Sequence, residues 1–180
     1  MKSIKNLITI VLLVFSFIAC SDSESLQQYY VDNSENSNFI SLTIPSSVLN
    51  LSDIEITPTQ KEAYESVKKL NVLAFKVNED NKSDFEIEKG KVTTILKNKK
   101  YQELMRINSG NHQGVVKYLG DDRSIDEVIV YGNDNDKGFA LVRVLGENMK
   151  PEGMLQLMQV VKSNNIKGEG LNQLKQFFEK

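Results

Sequence analysis

The chain has 180 residues, of which 40% are hydrophobic and 26% charged, a size and composition that suit one globular domain with extensions. The formal net charge of −2 leaves no basic excess, which argues against a nucleic-acid partner. The single cysteine excludes an internal disulfide, and a chain of this size can bury enough surface to fold without a disulfide or a structural metal.

The first 19 residues have the pattern of a secretory signal peptide. Two lysines precede an apolar run from Leu7 to Ala19, which at thirteen residues is shorter than the roughly 20 that cross a bilayer as a helix. The run ends at Cys20 in the sequence "FIAC", which resembles the bacterial lipobox, with Phe17 in place of the usual Leu. The resemblance implies a diacylglycerol on the Cys20 sulfur, cleavage between Ala19 and Cys20, and acylation of the new amino group with a fatty acid such as palmitate.

Two readings of the residues around Cys20 stay open. A lone cysteine can also be a small buried hydrophobe or be removed with its signal peptide, although its place at the end of the apolar run favours lipidation. The acidic stretch "SDSE" after it resembles tags that send some lipoproteins to the cell surface, and it equally suits a solvated tether. We therefore expect a cell-envelope protein anchored in the outer membrane through Cys20, with neither side of that membrane favoured.

Residues 20–38 are predicted to form a polar tether. They are rich in Ser, Asp, Glu, Asn and Gln, a composition that cannot bury enough apolar surface to fold alone. Leu26, Tyr29 and Tyr30 interrupt it at helical spacing and predict one amphipathic turn that docks on the folded body. The folded domain is predicted over residues 39–180.

The first half of that domain alternates strands and helices. Phe39–Ile44 is predicted as a half-buried strand that Pro45 ends. Thr57 as cap and Pro58 at the first position begin a helix. Its expected apolar face is Ala63, Val67 and Leu70. An interior strand over Asn71–Val77 follows. A capping box at Ser83–Glu86 then begins a second helix, whose predicted inward residues are Phe85, Val92, Ile95 and Leu96.

The second half is a meander followed by helices. Four strands with turn-forming connections are predicted at Tyr101–Ile107, Val115–Leu119, Ile125–Tyr131 and Phe139–Leu145. One helix then follows Pro151, with Met154, Leu155, Met158 and Val161 on its apolar face. Another has Leu171, Leu174, Phe177 and Phe178. The fold class predicted is α+β: one domain with a mainly antiparallel sheet of about six strands and helices packed on one face.

The strand sequences carry a family resemblance. "NFISLTIPSSVL", "VLAFKV", "YQELMRI" and "GFALVRVLG" resemble the uncharacterised Bacteroidetes lipoprotein family described as domain of unknown function 4252. The similarity extends over most of Leu26 to Val161. It implies no catalytic residue, cofactor or metal, because the matching segments are structural strands and turns.

His112, the only histidine, is the main candidate for catalysis. It could act as a general base in a hydrolase-like site with nearby carboxylates, but its neighbours in "SGNHQG" are turn formers and G-x-S-x-G is absent. Asp134–Gly138, "DNDKG", mimics the start of a calcium loop but lacks the later ligands, so a hairpin turn is favoured. Asp121 and Asp122 are interpreted as a strand connection. We expect no catalytic residue and no metal site.

Two surface features could bind a partner. Lys97, Lys99 and Lys100 could contact phosphate or lipid headgroups, although a solvated helix end is the favoured interpretation. Val128–Tyr131 and Ala140–Val142 are apolar on both sheet faces, so one face needs cover from the tether or the C-terminal helix, from a partner protein or from a second copy. The predicted function is a non-catalytic binding, sensing or regulatory module of the envelope. The alternatives are a structural subunit of an envelope complex and a hydrolase-like enzyme using His112.

Overall fold

The computed structural model describes residues 24–48, 51, 54–110, 112–121 and 123–164. Cys20 and the predicted helix with Leu171 and Phe178 lie outside these residues. Six strands form a single antiparallel sheet in the order β1-β2-β6-β5-β4-β3. They are β1 Phe39–Pro45, β2 Val67–Lys76, β3 Gln102–Ser109, β4 His112–Gly120, β5 Ile125–Asp134 and β6 Gly138–Met149.

In the described part of the chain, four helices accompany the sheet, with a short 3₁₀ turn at Ser46–Val48. They are α1 Leu26–Asn33, α2 Pro58–Ser66, α3 Lys82–Leu96 and α4 Pro151–Asn164. The predicted α+β class, with one mainly antiparallel six-stranded sheet, is confirmed.

The helices pack on both faces of the sheet, so the expectation of one helical layer is wrong. One cluster joins α1 and α3 to alternate strand positions, and a second joins α2 and α4 to the positions between them. On β5, for example, Ile129 belongs to the first cluster and Val128 to the second. Strands that are apolar at consecutive positions bury both sides, and each side needs its own cover. We call these sides the α1/α3 face and the α2/α4 face.

Among the described residues, the folded body includes α1, which lies within the segment predicted as a tether. Leu26 and Tyr29 are both 0% exposed, which confirms the predicted docking turn. The Tyr30 hydroxyl donates to the carbonyls of Leu42 and Val72, at 3.2 Å each, and so fixes the helix over β1 and β2. The polar composition was therefore a poor guide here, because a few apolar side chains suffice when a preformed sheet receives them.

Two helix boundaries differ from prediction. The capping box at Thr57 and Gln60 is present, but α2 ends at Ser66, and Val67 begins β2 opposite Gly146 of β6. Pairing with β6 thus overrides the helical spacing of Val67 and Leu70. Asn81 rather than Ser83 stands before α3, which begins without a side-chain cap. The Asn81 side chain instead accepts from the Asn78 N–H, at 2.8 Å, and donates to the Lys76 carbonyl, at 3.0 Å.

The tight β5–β6 hairpin depends on a glycine. Gly138 has φ +123°, and a Cβ there would lie 1.9 Å from the carbonyl oxygen of Phe75. A side chain at this position would collide with the neighbouring strand. The end of the hairpin therefore packs directly against β2.

Candidate functional site

His112 lies beside a carboxylate at the hairpin end of the sheet. It is the first residue of β4, and the register places it opposite Asp134, the last residue of β5. The His112 Nδ1 and Asp134 Oδ2 atoms are 2.9 Å apart. The imidazole is 67% exposed, whereas the carboxylate is 16% exposed. The sheet register therefore creates a His-Asp pair from two residues that are 22 positions apart in the sequence.

Asp134 also stabilises the β5–β6 hairpin turn. Its Oδ1 accepts from the N–H of Asp136, at 2.8 Å, and from the N–H of Lys137, at 3.2 Å. The Asp136 N–H is the main cause of a lowered pKa for the Asp134 carboxyl, and the Lys137 N–H and the nearby His112 add to it against the opposing effect of burial. "DNDKG" is thus a hairpin turn closed by Asp134, as predicted, and the carboxylate stays charged.

The His-Asp pair borders a shallow hollow of about 300 Å³. Its floor is made of small residues, among them Gly132, Gly138 and Ala140. None of the described residues that line it is Ser, Thr or Cys, the usual partners of an activating histidine. Asn133 also borders the hollow, but the alternation of side chains along β5 directs its side chain to the α1/α3 face, as it does for Ile129 and Tyr131. A carboxylate that orients an imidazole can support a general base, and the hollow beside the pair can accept a small group.

The other predicted candidates do not assemble into a metal centre. Within the described ranges, no three side chains of His, Cys, Asp or Glu lie close enough together to hold a metal ion. Asp121 is a turn residue whose Oδ1 accepts from the N–H groups of Arg123 and Ser124, at 2.7 and 2.9 Å. Asp122 lies outside the described residues.

An open cleft of about 630 Å³ lies between α2, the end of β6 and the start of α4. Glu62 and Lys150 lie on opposite sides of it, and their Oε1 and Nζ atoms are 2.6 Å apart. Arg123 adds a second cation to the rim. Sequence analysis did not indicate this cleft, because its walls come from residues 59–66, residue 123 and residues 148–153, which are not neighbours in the chain.

The sequence grouped Lys97 with Lys99 and Lys100 at the end of a helix. In the structure, Lys97 also lies close to cations from two strands. It lines a hollow of about 160 Å³ on the α1/α3 face, together with Arg106 of β3 and Lys117 of β4. The alternation of side chains along β3 and β4 puts these two residues on one face of the sheet. That alternation was readable in the sequence, but their meeting with the end of α3 was not.

A buried ion pair also escaped sequence analysis. Arg143 of β6 donates to both carboxylate oxygens of Glu127 on β5, at 2.5 and 2.9 Å, and each residue is only 5% exposed. The Arg143 Nη2 also donates to the Gln27 side chain of α1, at 3.2 Å. Burial is the largest single effect on Arg143 and opposes its charge, but the hydrogen bonds to Glu127 and the electrostatic attraction of that carboxylate together outweigh burial and raise the pKa of Arg143. The pair thus helps to hold α1 on the sheet.

Comparison with known proteins places the chain in a family. The family model "Domain of unknown function (DUF4252)" matches residues 29–176, more than three quarters of the chain. The chain belongs to this family. No curated protein and no solved structure matches it. None of the helices in the described ranges is long and apolar enough to cross a membrane.

Proposed function

We propose that the chain is a lipid-anchored cell-envelope protein, attached to the outer membrane through Cys20, whose folded body binds a ligand or partner without catalysing a reaction. The observation that carries the proposal is Cys20 at the end of a thirteen-residue apolar run, in the lipobox-like sequence "FIAC". Cleavage between Ala19 and Cys20 would leave a lipidated cysteine as the first residue. Two or three acyl chains there would hold the protein almost permanently, since each buried CH₂ contributes about 0.8 kcal/mol.

The position of α1 indicates that the tether between Cys20 and the folded body is short. Only residues 21–25 separate Cys20 from Leu26, and six residue steps of extended chain span at most roughly 20 Å. Leu26 is fully buried, and its N–H donates to the Tyr101 hydroxyl, at 3.4 Å. Anchoring at Cys20 would thus keep the end of the domain that carries Tyr101 close to the lipid surface.

The test is to change Cys20 and follow the protein between membrane and soluble fractions. The parent should sediment with membranes and show a diacylglyceryl cysteine at its mature N-terminus by mass spectrometry. Cys20→Ser should leave an unlipidated protein that washes off at low detergent. Cys20→Ser protein that still carries lipid and stays in the membrane would refute the anchor. Surface-protease accessibility of the parent in intact cells would then give the side of the membrane.

A hydrolase-like activity is the second candidate, and the 2.9 Å contact of His112 with Asp134 is the observation that favours it. A histidine oriented by a carboxylate is the arrangement that activates a nucleophile. His112→Ala is the test, because an unchanged cellular phenotype in this variant would exclude an enzyme that depends on His112.

A structural subunit of an envelope complex is the third candidate. A stable stoichiometric partner found by crosslinking in intact cells would favour it.

A further inference from the structure

The hollow around Lys97 concentrates positive charge. It lies between the C-terminal end of α3 and strands β3 and β4, and it has a volume of about 160 Å³. Three of its lining residues are cations, Lys97, Arg106 and Lys117, and none of the described lining residues is Asp or Glu. Cations from three separate elements therefore converge on one small concavity.

The three cations are not equally free to bind. Arg106 forms an ion pair with Glu103, with Nε and Oε1 3.0 Å apart, so much of its charge is already balanced. Lys117 donates to the Tyr101 carbonyl, at 3.1 Å, and lies opposite Glu103 in the strand register, whose carboxylate it influences without forming an ion pair. Within the described ranges, no carboxylate lies within ion-pair distance of Lys97. Lys97 and Lys117 are the charges available to an anion.

A buried hydroxyl that donates to no group lines the same hollow. Tyr131 is 8% exposed, and its hydroxyl donates no hydrogen bond within the described part of the chain. Burial raises the pKa of Tyr131 to about 12, against the opposing effect of the Thr93 hydroxyl, which also lines the hollow and lies near enough to donate to the Tyr131 oxygen. The hydroxyl therefore keeps its proton at neutral pH and is a donor. A buried donor without a partner is unusual in a native protein and calls for a ligand or a solvent molecule.

We propose that this hollow binds a phosphate group, with Lys97 and Lys117 supplying charge and the Tyr131 and Thr93 hydroxyls donating hydrogen bonds. A phosphate carries up to two negative charges and several acceptor oxygens, which matches two free cations next to neutral donors. The volume suits a single phosphate and a few attached atoms. Phosphate binding in this hollow does not require the lipid anchor at Cys20.

The phosphate could belong to a lipid headgroup or to a soluble molecule. Tyr101 is the link to the membrane, because its hydroxyl receives the N–H of Leu26, just after the tether, and its carbonyl receives Lys117. The headgroup source rests on the proposed anchor at Cys20, whereas the soluble source does not. The two sources share the same binding chemistry and differ in what should compete for the hollow.

The first experiment titrates the full-length protein with inorganic phosphate in maltoside micelles, which contain no phosphate, by isothermal calorimetry. The parent should bind one phosphate saturably, and added salt should weaken binding. Lys97→Ala should weaken it about tenfold, the loss of one charge-assisted hydrogen bond. Tyr131→Phe should also weaken it, yet unfold at an equal or higher temperature, because it removes a buried hydroxyl without a partner.

Lys99→Ala is the matched control. It removes the same charge two residues away, from an exposed position that does not line the hollow, and should bind phosphate within about twofold of the parent. If Lys97→Ala and Tyr131→Phe bind as well as the parent, or if the parent shows no saturable binding, the site does not exist. A loss in Lys99→Ala as large as in Lys97→Ala would replace the site with a diffuse charge effect.

A second arm repeats the titration in phosphatidylglycerol nanodiscs. A lower apparent affinity for inorganic phosphate than in micelles identifies the headgroup as the ligand, because it already occupies the hollow. An unchanged affinity identifies a soluble phosphate compound. Cys20→Ser protein in solution should bind phosphate as the parent does, so failure of the anchor and failure of this site give different results.

Discussion

At the scale of single residues, Arg143 and Glu127 form the most deeply buried ion pair in the described part of the chain. Both side chains are almost fully removed from water and satisfy each other through two hydrogen bonds. Removing one partner leaves the other charge buried and unpaired, whereas replacing both with apolar residues removes the problem. A single substitution in this pair should therefore lower the free energy of unfolding strongly, whereas a double apolar substitution should change it little or raise it.

Glu127→Ala should lower the free energy of unfolding by about 3–5 kcal/mol, measured by urea denaturation. Glu127→Leu combined with Arg143→Met should recover most of that loss, because the double variant buries no charge. The matched control is Glu103→Ala, which breaks the exposed ion pair with Arg106 and should change stability little. Equal losses in the single and double variants would contradict the assignment.

At the scale of elements, α1 is held on the fold in part by the protonated hydroxyl of Tyr29. Tyr29 is fully buried, and its hydroxyl donates to Glu88 of α3, at 2.8 Å. Burial is the main cause of a pKa far above the usual range, and the hydrogen bond to Glu88 adds to it. The contact between α1 and α3 thus depends on a phenol that keeps its proton.

This arrangement predicts a loss of stability in alkali. Below pH 10, tyrosine is protonated in both the folded and unfolded chains, so its contribution is constant. Above pH 10, the unfolded chain releases the Tyr29 proton while the folded chain retains it, so the free energy of unfolding falls, by up to about 1.4 kcal/mol per pH unit for each such tyrosine. Tyr131, with a pKa of about 12, adds to the slope between pH 10 and 12.

Urea denaturation at several pH values from 9 to 11.5 measures the slope. Tyr29→Phe should have a shallower slope than the parent, because it removes one of the linked protons. Amide hydrogen exchange at neutral pH should also rise in α1 of this variant, where the bond to Glu88 is missing. An identical slope in parent and Tyr29→Phe would show that Tyr29 ionises freely in the folded chain.

At the scale of the whole molecule, two cores share one sheet. Neighbouring positions of β5 and β6 point to opposite faces, so the same strands carry both the α1/α3 cluster and the α2/α4 cluster. A strand displaced on one face is displaced on the other. The two layers should therefore unfold together as a single cooperative unit.

Leu73→Ala in the first cluster and Met149→Ala in the second should each lower the free energy of unfolding by about 2–5 kcal/mol, since both residues are 0% exposed. Far-ultraviolet circular dichroism and tyrosine fluorescence should give coincident transitions for both variants. Ile87→Ala, at an exposed position of α3, should stay within about 0.5 kcal/mol of the parent. Separate transitions in either core variant would show that the layers are independent.

The local chemistry of this chain was largely readable from its sequence. Alternating strands, the capping box at Thr57, the turn at Asp134 and the helix after Pro151 depend on neighbours in the chain, and all four are present. The end of α2 was not readable, because Val67 suits a helix by spacing and a strand by its pairing with Gly146. The resemblance to the family described as domain of unknown function 4252 was also readable, and the match over residues 29–176 confirms membership of that family.

Tertiary structure alone decided which distant residues meet. The His112–Asp134 contact follows from the register of β4 and β5, and the hollow of Lys97, Arg106 and Lys117 follows from the packing of α3 on β3 and β4. The sequence of β5 and β6 indicates that both faces of the sheet are apolar, but only the tertiary structure shows that α2 and α4 cover the second face. Local pattern specifies elements through short-range sterics and hydrogen bonds, whereas sites form where segments far apart in sequence are brought together by burial of apolar surface.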